Sequence, residues 1–277
     1  MQQQKILQKK YEGLTPDEKE ELLKLEESVE LEKAKPNIIG NFLSFVKYVW
    51  PEFIEGSHHK IINKKFNDLA EGKVKRLIIN MPPRHTKSEF ASYLLPAWMI
   101  GKDPKLKIIQ ATHTADLAID FGRKTKNLVD QDNYRELFST RLQEDSKAAG
   151  KWKTEQGGEY FAAGVGGAIT GRGANLLIID DPHKEQDIKK DSKAFDKAIN
   201  WYTSGPRQRL QPGGAIVVVM TRWSTKDITG QLLKAQSEEG SDQWEVVELP
   251  AILPDGKPVW PEFWTTEELL KTKASIP

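Results

Sequence analysis

From Arg76 onward, short and nearly unbroken apolar runs alternate with segments whose apolar residues recur at helical spacing. The runs predict strands at Arg76–Asn80, Lys107–Ala111, Glu159–Ala163, Leu176–Asp180, Ala215–Thr221 and Trp244–Leu249. The helical spacing predicts helices near Ser88–Ile100, Ala115–Val129, Ser192–Ser204 and Asp227–Ser237. Strands that are apolar throughout, rather than alternating, have both faces covered. The pattern therefore predicts a three-layer α/β domain with a mainly parallel sheet and helices on both faces. Ligands of such sheets bind beyond the carboxyl ends of the strands.

Upstream, Phe42, Phe45, Val46, Val49 and Trp50, then Ile61, Ile62, Phe66 and Leu69, mark helices able to pack on that core. Residues 1 to about 35 are highly charged, with no aromatic after Tyr11 and only a thin apolar face of Leu22, Leu23, Leu25, Val29 and Leu31. Thr15 as N-cap, Pro16 at the first helical position and Glu18 completing a capping box predict a helix start in this peripheral arm. The pentapeptide VWPEF occurs twice, at Val49–Phe53 and Val259–Phe263, without similarity in the flanks. It is expected to form two aromatic-proline turns docked on the core, not a repeat architecture.

Composition narrows the class. A chain of 277 residues buries roughly 75% of its unfolded surface, enough for one large α/β domain with an appendage. Charged residues make up 29% but nearly cancel, to +1, so no global basic field points to nucleic acid and any DNA contact must be local or shared among subunits. The absence of cysteine excludes a disulfide scaffold and Cys-based zinc sites. The N-terminus lacks a signal-peptide core, and no run approaches the ~20 apolar residues of a membrane span. The expectation is a soluble, intracellular protein.

Two segments carry the candidate chemistry. RLIINMPPRHTKS, at Arg76 to Ser88, is an apolar run that ends in a loop with Lys87-Ser88; LLIIDDP, at Leu176 to Pro182, ends in two adjacent carboxylates. A Lys-Ser pair at the mouth of a helix and an acidic pair at a strand end are the two halves of a nucleoside-triphosphate site. In the usual pattern G-x-x-x-x-G-K-[ST], Met81 and Thr86 stand at the glycine positions. Backbone N–H groups of the turn Pro82, Pro83, Arg84, His85, Thr86 and Lys87 are expected to wrap the phosphates. Lys87 would add a point charge on the β- and γ-phosphates, and Ser88 and Asp180 would hold Mg²⁺. Asp181 would orient the attacking water.

The glycine-rich segment Ala163–Gly173 precedes a strand rather than following one, so it reads as a loop near the site and not as a dinucleotide fingerprint. Its one cation, Arg172, could reach a γ-phosphate of its own or a neighbouring subunit, or be a surface arginine. Lys184, Lys189, Lys190, Lys193 and Lys197 lie among acids and read as a solvated helix face, with DNA tracking as the alternative. His183 beside two carboxylates suggests a transition-metal site less well than Mg²⁺.

The motifs MPPRHTKS, ITGRGANLLIIDDPHK, VVVMTRWSTKDITG and LPAILPDGKPVWPE, in this order, resemble the large terminase subunit of tailed bacteriophages over about Phe42 to Glu262. The resemblance implies a P-loop ATPase of the additional-strand class that drives double-stranded viral DNA through a portal protein into a procapsid, in the host cytoplasm. It implies further partners: a small terminase subunit, and other copies in a ring on assembly, from a chain that is monomeric alone. By the same resemblance Arg84 contacts phosphates in cis, Arg172 is a trans-acting arginine finger, Thr221 and Arg222 belong to a coupling motif, and His59 lies near the adenine. For His59 an ordinary packing role stays open. The implied layout is an arm over 1–40, the ATPase domain over 41–250, and a linker over 251–277 toward a nuclease domain absent here, so no nuclease activity is expected. A helicase-like translocase and a nucleotide-binding scaffold without turnover remain as alternatives. If position 86 demands positive φ, Thr86 costs on the order of 1–3 kcal/mol in strain.

Overall fold

The computed structural model describes residues 13–146, 148–169, 171–184 and 193–275. Among them a sheet is formed by β1 (Arg76–Asn80), β2 (Lys107–Thr112), β3 (Lys151–Lys153), β4 (Glu159–Gly164), β5 (Ala174–Asp180), β6 (Leu210–Met220) and β7 (Glu245–Glu248). The strand order is β3-β4-β2-β5-β6-β1-β7, and every neighbouring pair is parallel except β3 with β4. Strand β6 therefore lies between β1, which feeds the loop at Met81, and β5, which ends at Asp180. That inserted strand agrees with the additional-strand class that the resemblance implies.

The helices are α1 (Pro16–Gly40), α2 (Phe42–Val49), α3 (Ser57–Ala70), α4 (Leu95–Lys102), α5 (Ala115–Val129), α6 (Asp132–Leu137), α7 (Lys193–Ser204), α8 (Ile228–Ala235) and α9 (Thr266–Ala274). Alternate strand residues supply two separate cores, as the two-residue period of a strand requires. Leu77, Ile79, Leu176, Ile178, Val217 and Val219 pack with Phe42, Phe45, Phe66, Phe90 and Trp98. Ile78, Leu177, Ile179, Ile216 and Val218 pack on the other face with Trp201, Tyr202, Ile228 and Leu232. Both faces are thus covered, which is why these strands read as unbroken apolar runs.

The capping box at Thr15 is present: Glu18 N–H donates to the threonine hydroxyl, and the Glu18 carboxylate accepts from Thr15 N–H at 2.8 Å. Helix α1 runs on through Pro36 to Gly40, and only Ile38 of it is buried. None of the helices among the described residues is long and apolar enough to cross a membrane. Ser192, Lys189 and Lys190 lie outside the described residues.

The predicted helix Ser88–Ile100 is interrupted. Glu89–Leu94 forms a wider π turn before α4, with Leu95 N–H donating to the Phe90 carbonyl five residues back. Pro96 follows directly. A proline ring clashes with the carbonyl four residues before it, and widening the preceding turn moves that carbonyl aside. The turn also leaves Ser92, which would otherwise be an ordinary helix residue, buried beside the end of β5.

Candidate active site

Strand β1 is buried and delivers the chain to the loop through Met81, whose N–H donates to the Met220 carbonyl at 3.1 Å. Two prolines then stiffen the turn, and Arg84 and Thr86 both take left-handed backbone angles, φ 62° and 65°. His85 points inward between them, its Nδ1–H donating to the Pro83 carbonyl at 2.8 Å. Arg84 points outward and makes no hydrogen bond or ion pair among the described residues. The positive φ at Thr86 is the conformation for which glycine is usual, so the strain weighed from the sequence applies.

A buried histidine holds that strained threonine. Gly56 N–H donates to His59 Nδ1 at 2.8 Å, which leaves the hydrogen on Nε2. His59 Nε2–H donates to Thr86 Oγ1 at 2.8 Å, and the threonine hydroxyl donates onward to the His85 carbonyl at 2.6 Å. The His59 ring is enclosed by Phe53, Phe90, Trp260 and His58, the last only 3.7 Å away between ring centres. Desolvation, with the neighbouring His58 and His85, pushes its pKa down to about 2, so it stays neutral and keeps the donor that the threonine needs. His59 is fully buried and acts on the loop from beneath.

The acidic strand end meets the loop directly. Asp180 is buried; its Oδ1 accepts from the Ser88 hydroxyl at 3.0 Å and its Oδ2 from the Ser92 hydroxyl at 2.7 Å. Gln110, buried on β2, donates its amide to Ser92 Oγ at 2.8 Å and fixes that hydroxyl. Burial, with the charge of Asp181 beside it, pushes the Asp180 carboxyl up to about 7. Asp181 turns away from the strand at φ 39°. One of its oxygens accepts from Thr221 N–H at 2.8 Å, and the other lies 2.8 Å from Lys87 Nζ.

The donor set around Asp180 is made of oxygen alone. Among the described residues no three His, Asp or Glu side chains gather as metal ligands. A divalent ion at Ser88 and Asp180 would therefore complete its shell with water and phosphate oxygens, the habit of Mg²⁺ rather than of a transition metal. His183 has other work: its Nε2 accepts from Ile228 N–H at 3.0 Å, and its ring packs against Phe195.

Of the remaining sequence candidates only Thr221 touches this cluster. Thr221 Oγ1 donates to the Met81 carbonyl at 3.3 Å, so this one residue bridges the end of β1 and Asp181. Arg222 is tied within its own loop, Nε donating to Asp227 at 3.0 Å and a terminal nitrogen to the Ser224 carbonyl. Arg172 pairs with Glu159, the first residue of β4, and lies over the Phe161 ring at 4.0 Å. Arg172 precedes β5 and Asp181 follows it, so the seven-residue strand puts the two at opposite ends of a span about 20 Å long. Of the readings open from the sequence, reaching its own γ-phosphate is closed by that separation; a neighbour's phosphate and a surface arginine paired with Glu159 both stay open.

Three residues had no role in the sequence reading. Ser92 stands four positions after Ser88, a spacing that puts both hydroxyls on one helix face. Asp227, fully buried, accepts from Trp223 N–H, Ser224 N–H, Gly230 N–H and Arg222, and so shapes the whole loop after β6. His113, after β2, donates from Nδ1 to the Asp181 carbonyl at 3.2 Å.

No protein-family model matches this sequence, and no curated protein matches it either. Solved structures do. A mutant ATPase domain of the large terminase of Thermus phage P74-26 superposes with a TM-score of 0.51 at 14% identity, over 84% of this chain and 92% of that one. The fold is that of a large-terminase ATPase domain. A second structure of the P74-26 large terminase ATPase domain gives a TM-score of 0.46 at 16% identity, over 74% and 84% of the two chains. The HK97 bacteriophage large terminase gives 0.44 at 13% identity over 69% of this chain, a match that spans 39% of the HK97 protein. At these identities the likeness is one of fold.

Proposed function

We propose that this chain is the ATP-hydrolysing motor domain of a tailed-phage large terminase. The observation that carries the reading is the convergence of Lys87 and Ser88 with Asp181 and Asp180, at 2.8 Å and 3.0 Å, from segments some ninety residues apart. In this reading the turn from Pro82 to Lys87 wraps the β- and γ-phosphates of ATP, and Arg84, free and exposed, folds over them. Ser88 and Asp180 would hold Mg²⁺, which when bound would supply charge neutralisation at the phosphate oxygens. Asp181 orients a water for in-line attack on the γ-phosphorus; the bond from phosphorus to the β-bridging oxygen breaks, and the proton of the water leaves to bulk through the carboxylate.

Arg172 serves a neighbouring copy in a ring, where it would stabilise the charge of transfer after leaving Glu159. Thr221, bonded to both Asp181 and the end of β1, passes the state of the γ-phosphate to the loop that Asp227 organises. Double-stranded viral DNA, a portal and procapsid, and the small terminase subunit are the partners this reading assigns, and Mg·ATP is its substrate.

The test is hydrolysis of Mg·ATP by wild type, Lys87→Ala and Arg172→Ala, each alone and the two variants mixed, with and without duplex DNA. Each variant alone is expected to be inactive, and the mixture to regain turnover, because one supplies the intact phosphate site and the other the intact finger. Failure of the mixture to recover, with wild type active, removes the shared site. Nucleotide bound without turnover in any assembly favours a scaffold, the reading to which the strain at Thr86 lends weight.

A further inference from the structure

The groove beside the loop has a second wall that the phosphate chemistry does not use. About 380 Å³ in volume, it is lined by Arg84, Thr86, Lys87, Ser88 and Glu89 of the loop and its helix, together with Trp50, Trp260 and Phe263. All three aromatics come from the two copies of VWPEF. The copies fold alike: Phe53 N–H donates to the Trp50 carbonyl at 3.1 Å, and Phe263 N–H to the Trp260 carbonyl at 3.2 Å. Each is thus a four-residue turn with proline at its second position, where a fixed φ near −65° is pre-set. In the second copy the turn brings the Trp260 and Phe263 rings into a stack, 4.4 Å between centres and 16° apart.

Burial separates anchor from open face. Trp260 is buried in the core and presses on His58 and His59, and Phe53 packs on His59 and Phe90. Phe263, by contrast, is 50% exposed, and Trp50 is only partly buried. Three aromatics lining one groove with the loop that would hold a triphosphate, one of them half exposed, make a surface suited to stacking.

We propose that the paired VWPEF turns form a clamp for the base of the bound nucleotide, with Trp50 and Phe263 offering aromatic faces to a purine ring. The proposal rests on the nucleotide reading of the Pro82–Ser88 loop and names the part of the substrate taken by the wall opposite it. Recognition by stacking favours purines over pyrimidines through ring area.

The experiment compares two probes, ATP and inorganic tripolyphosphate, binding to the full chain by calorimetry, with CTP as a third arm. Stacking is worth ~1–3 kcal/mol per base, so Phe263→Ala, at an exposed position, should weaken ATP about 5- to 150-fold. Tripolyphosphate affinity should be unchanged, CTP should bind more weakly than ATP to wild type, and Trp50→Leu should repeat the pattern. Equal affinity of wild type and both variants for ATP, while Lys87→Ala abolishes binding of ATP and tripolyphosphate alike, overturns the clamp and leaves the phosphate site standing. Absence of binding of either probe to wild type overturns the nucleotide reading itself, and the clamp with it.

Discussion

The ammonium of Lys87 stands 2.8 Å from one oxygen of Asp181, and Thr221 N–H donates to the other. The cation that should meet a phosphate is therefore already paired with the carboxylate that should orient water. Lys87 is buried and Asp181 is partly open, so in the proposed function an arriving γ-phosphate would compete for Lys87 at short range. Were Lys87 to turn to the phosphate, the freed Asp181 oxygen would be the one available to water, while the other kept its bond from Thr221 N–H.

From this pairing Asp181→Asn is expected to keep or tighten nucleotide binding, because Lys87 loses its charged competitor. Turnover should fall by about 10²- to 10⁴-fold, the usual worth of a positioned base. Calorimetry and single-turnover hydrolysis measure the two effects separately, and near-normal turnover would remove the role assigned to Asp181.

Thr86 is held in its left-handed conformation by two hydrogen bonds, from His59 and to the His85 carbonyl. Thr86→Gly removes strain of about 1–3 kcal/mol but, lacking the hydroxyl, leaves the buried His59 Nε2–H without a partner at a comparable cost of about 1–3 kcal/mol, so stability should change little and nucleotide affinity should hold or rise. Thr86→Val keeps the branching and strain but leaves the buried His59 Nε2–H without a partner, and should destabilise by about 1–3 kcal/mol. Denaturant unfolding of the two variants tests the contrast; equal loss in both would exclude backbone strain at position 86.

Acid should weaken the fold earlier than carboxylate titration alone requires. Desolvation lowers the pKa of His58 to about 4 and of His59 to about 2, and lowers His85 and His183 as well. A histidine whose folded pKa is depressed binds a proton in the unfolded chain first, so its stabilisation is present above the unfolded value near 6.5 and lost as pH falls toward the folded value. Asp180, raised to about 7, acts in the opposite sense over pH 4 to 7, but it is one group against four. Unfolding midpoints should drop steadily from pH 6.5 to 4, and His58→Phe should flatten that slope. A midpoint constant over this range contradicts the expectation.

Asp227 gathers three backbone donors and the Arg222 guanidinium around one fully buried carboxylate. An ordinary N-cap is worth ~1 kcal/mol, and loss of a buried charged partner costs about 3–5. Asp227→Ala should therefore destabilise by on the order of 3 kcal/mol and loosen the loop from Trp223 to Lys226, measurable as lower thermal stability and faster hydrogen exchange there. A change under about 0.5 kcal/mol, normal for surface sites, would show that the carboxylate does not organise the loop.

Much of the architecture could be read along the chain. Strands β1 and β2 and helix α5 lie within a residue of their predicted limits, because apolar runs covered on both faces and a helical stripe each leave a local period. The capping box at Thr15 was equally local. Edge strand β3 and helix α6 were not legible: Lys151-Trp152-Lys153 is too short to show a period, and α6 has six residues. Pro96 was visible, yet its effect, a widened turn that lodges Ser92 against Asp180, depends on how the helix must remain packed while avoiding a clash.

Local chemistry alone dictated which residues could serve a phosphate and a divalent ion, since a lysine and a hydroxyl after one apolar run and two carboxylates after another carry their donors and charges wherever they are placed. Only the tertiary fold decided that they meet. The order β5-β6-β1 sets Asp180 and Asp181 beside Ser88 and Lys87, and no periodicity encodes the order of strands in a sheet. The fold also turned His59 inward to brace Thr86, sent Arg172 to the far end of β5, and drew two distant copies of VWPEF to one groove. These are consequences of packing between segments remote in sequence, which a one-dimensional pattern of polar and apolar residues does not carry.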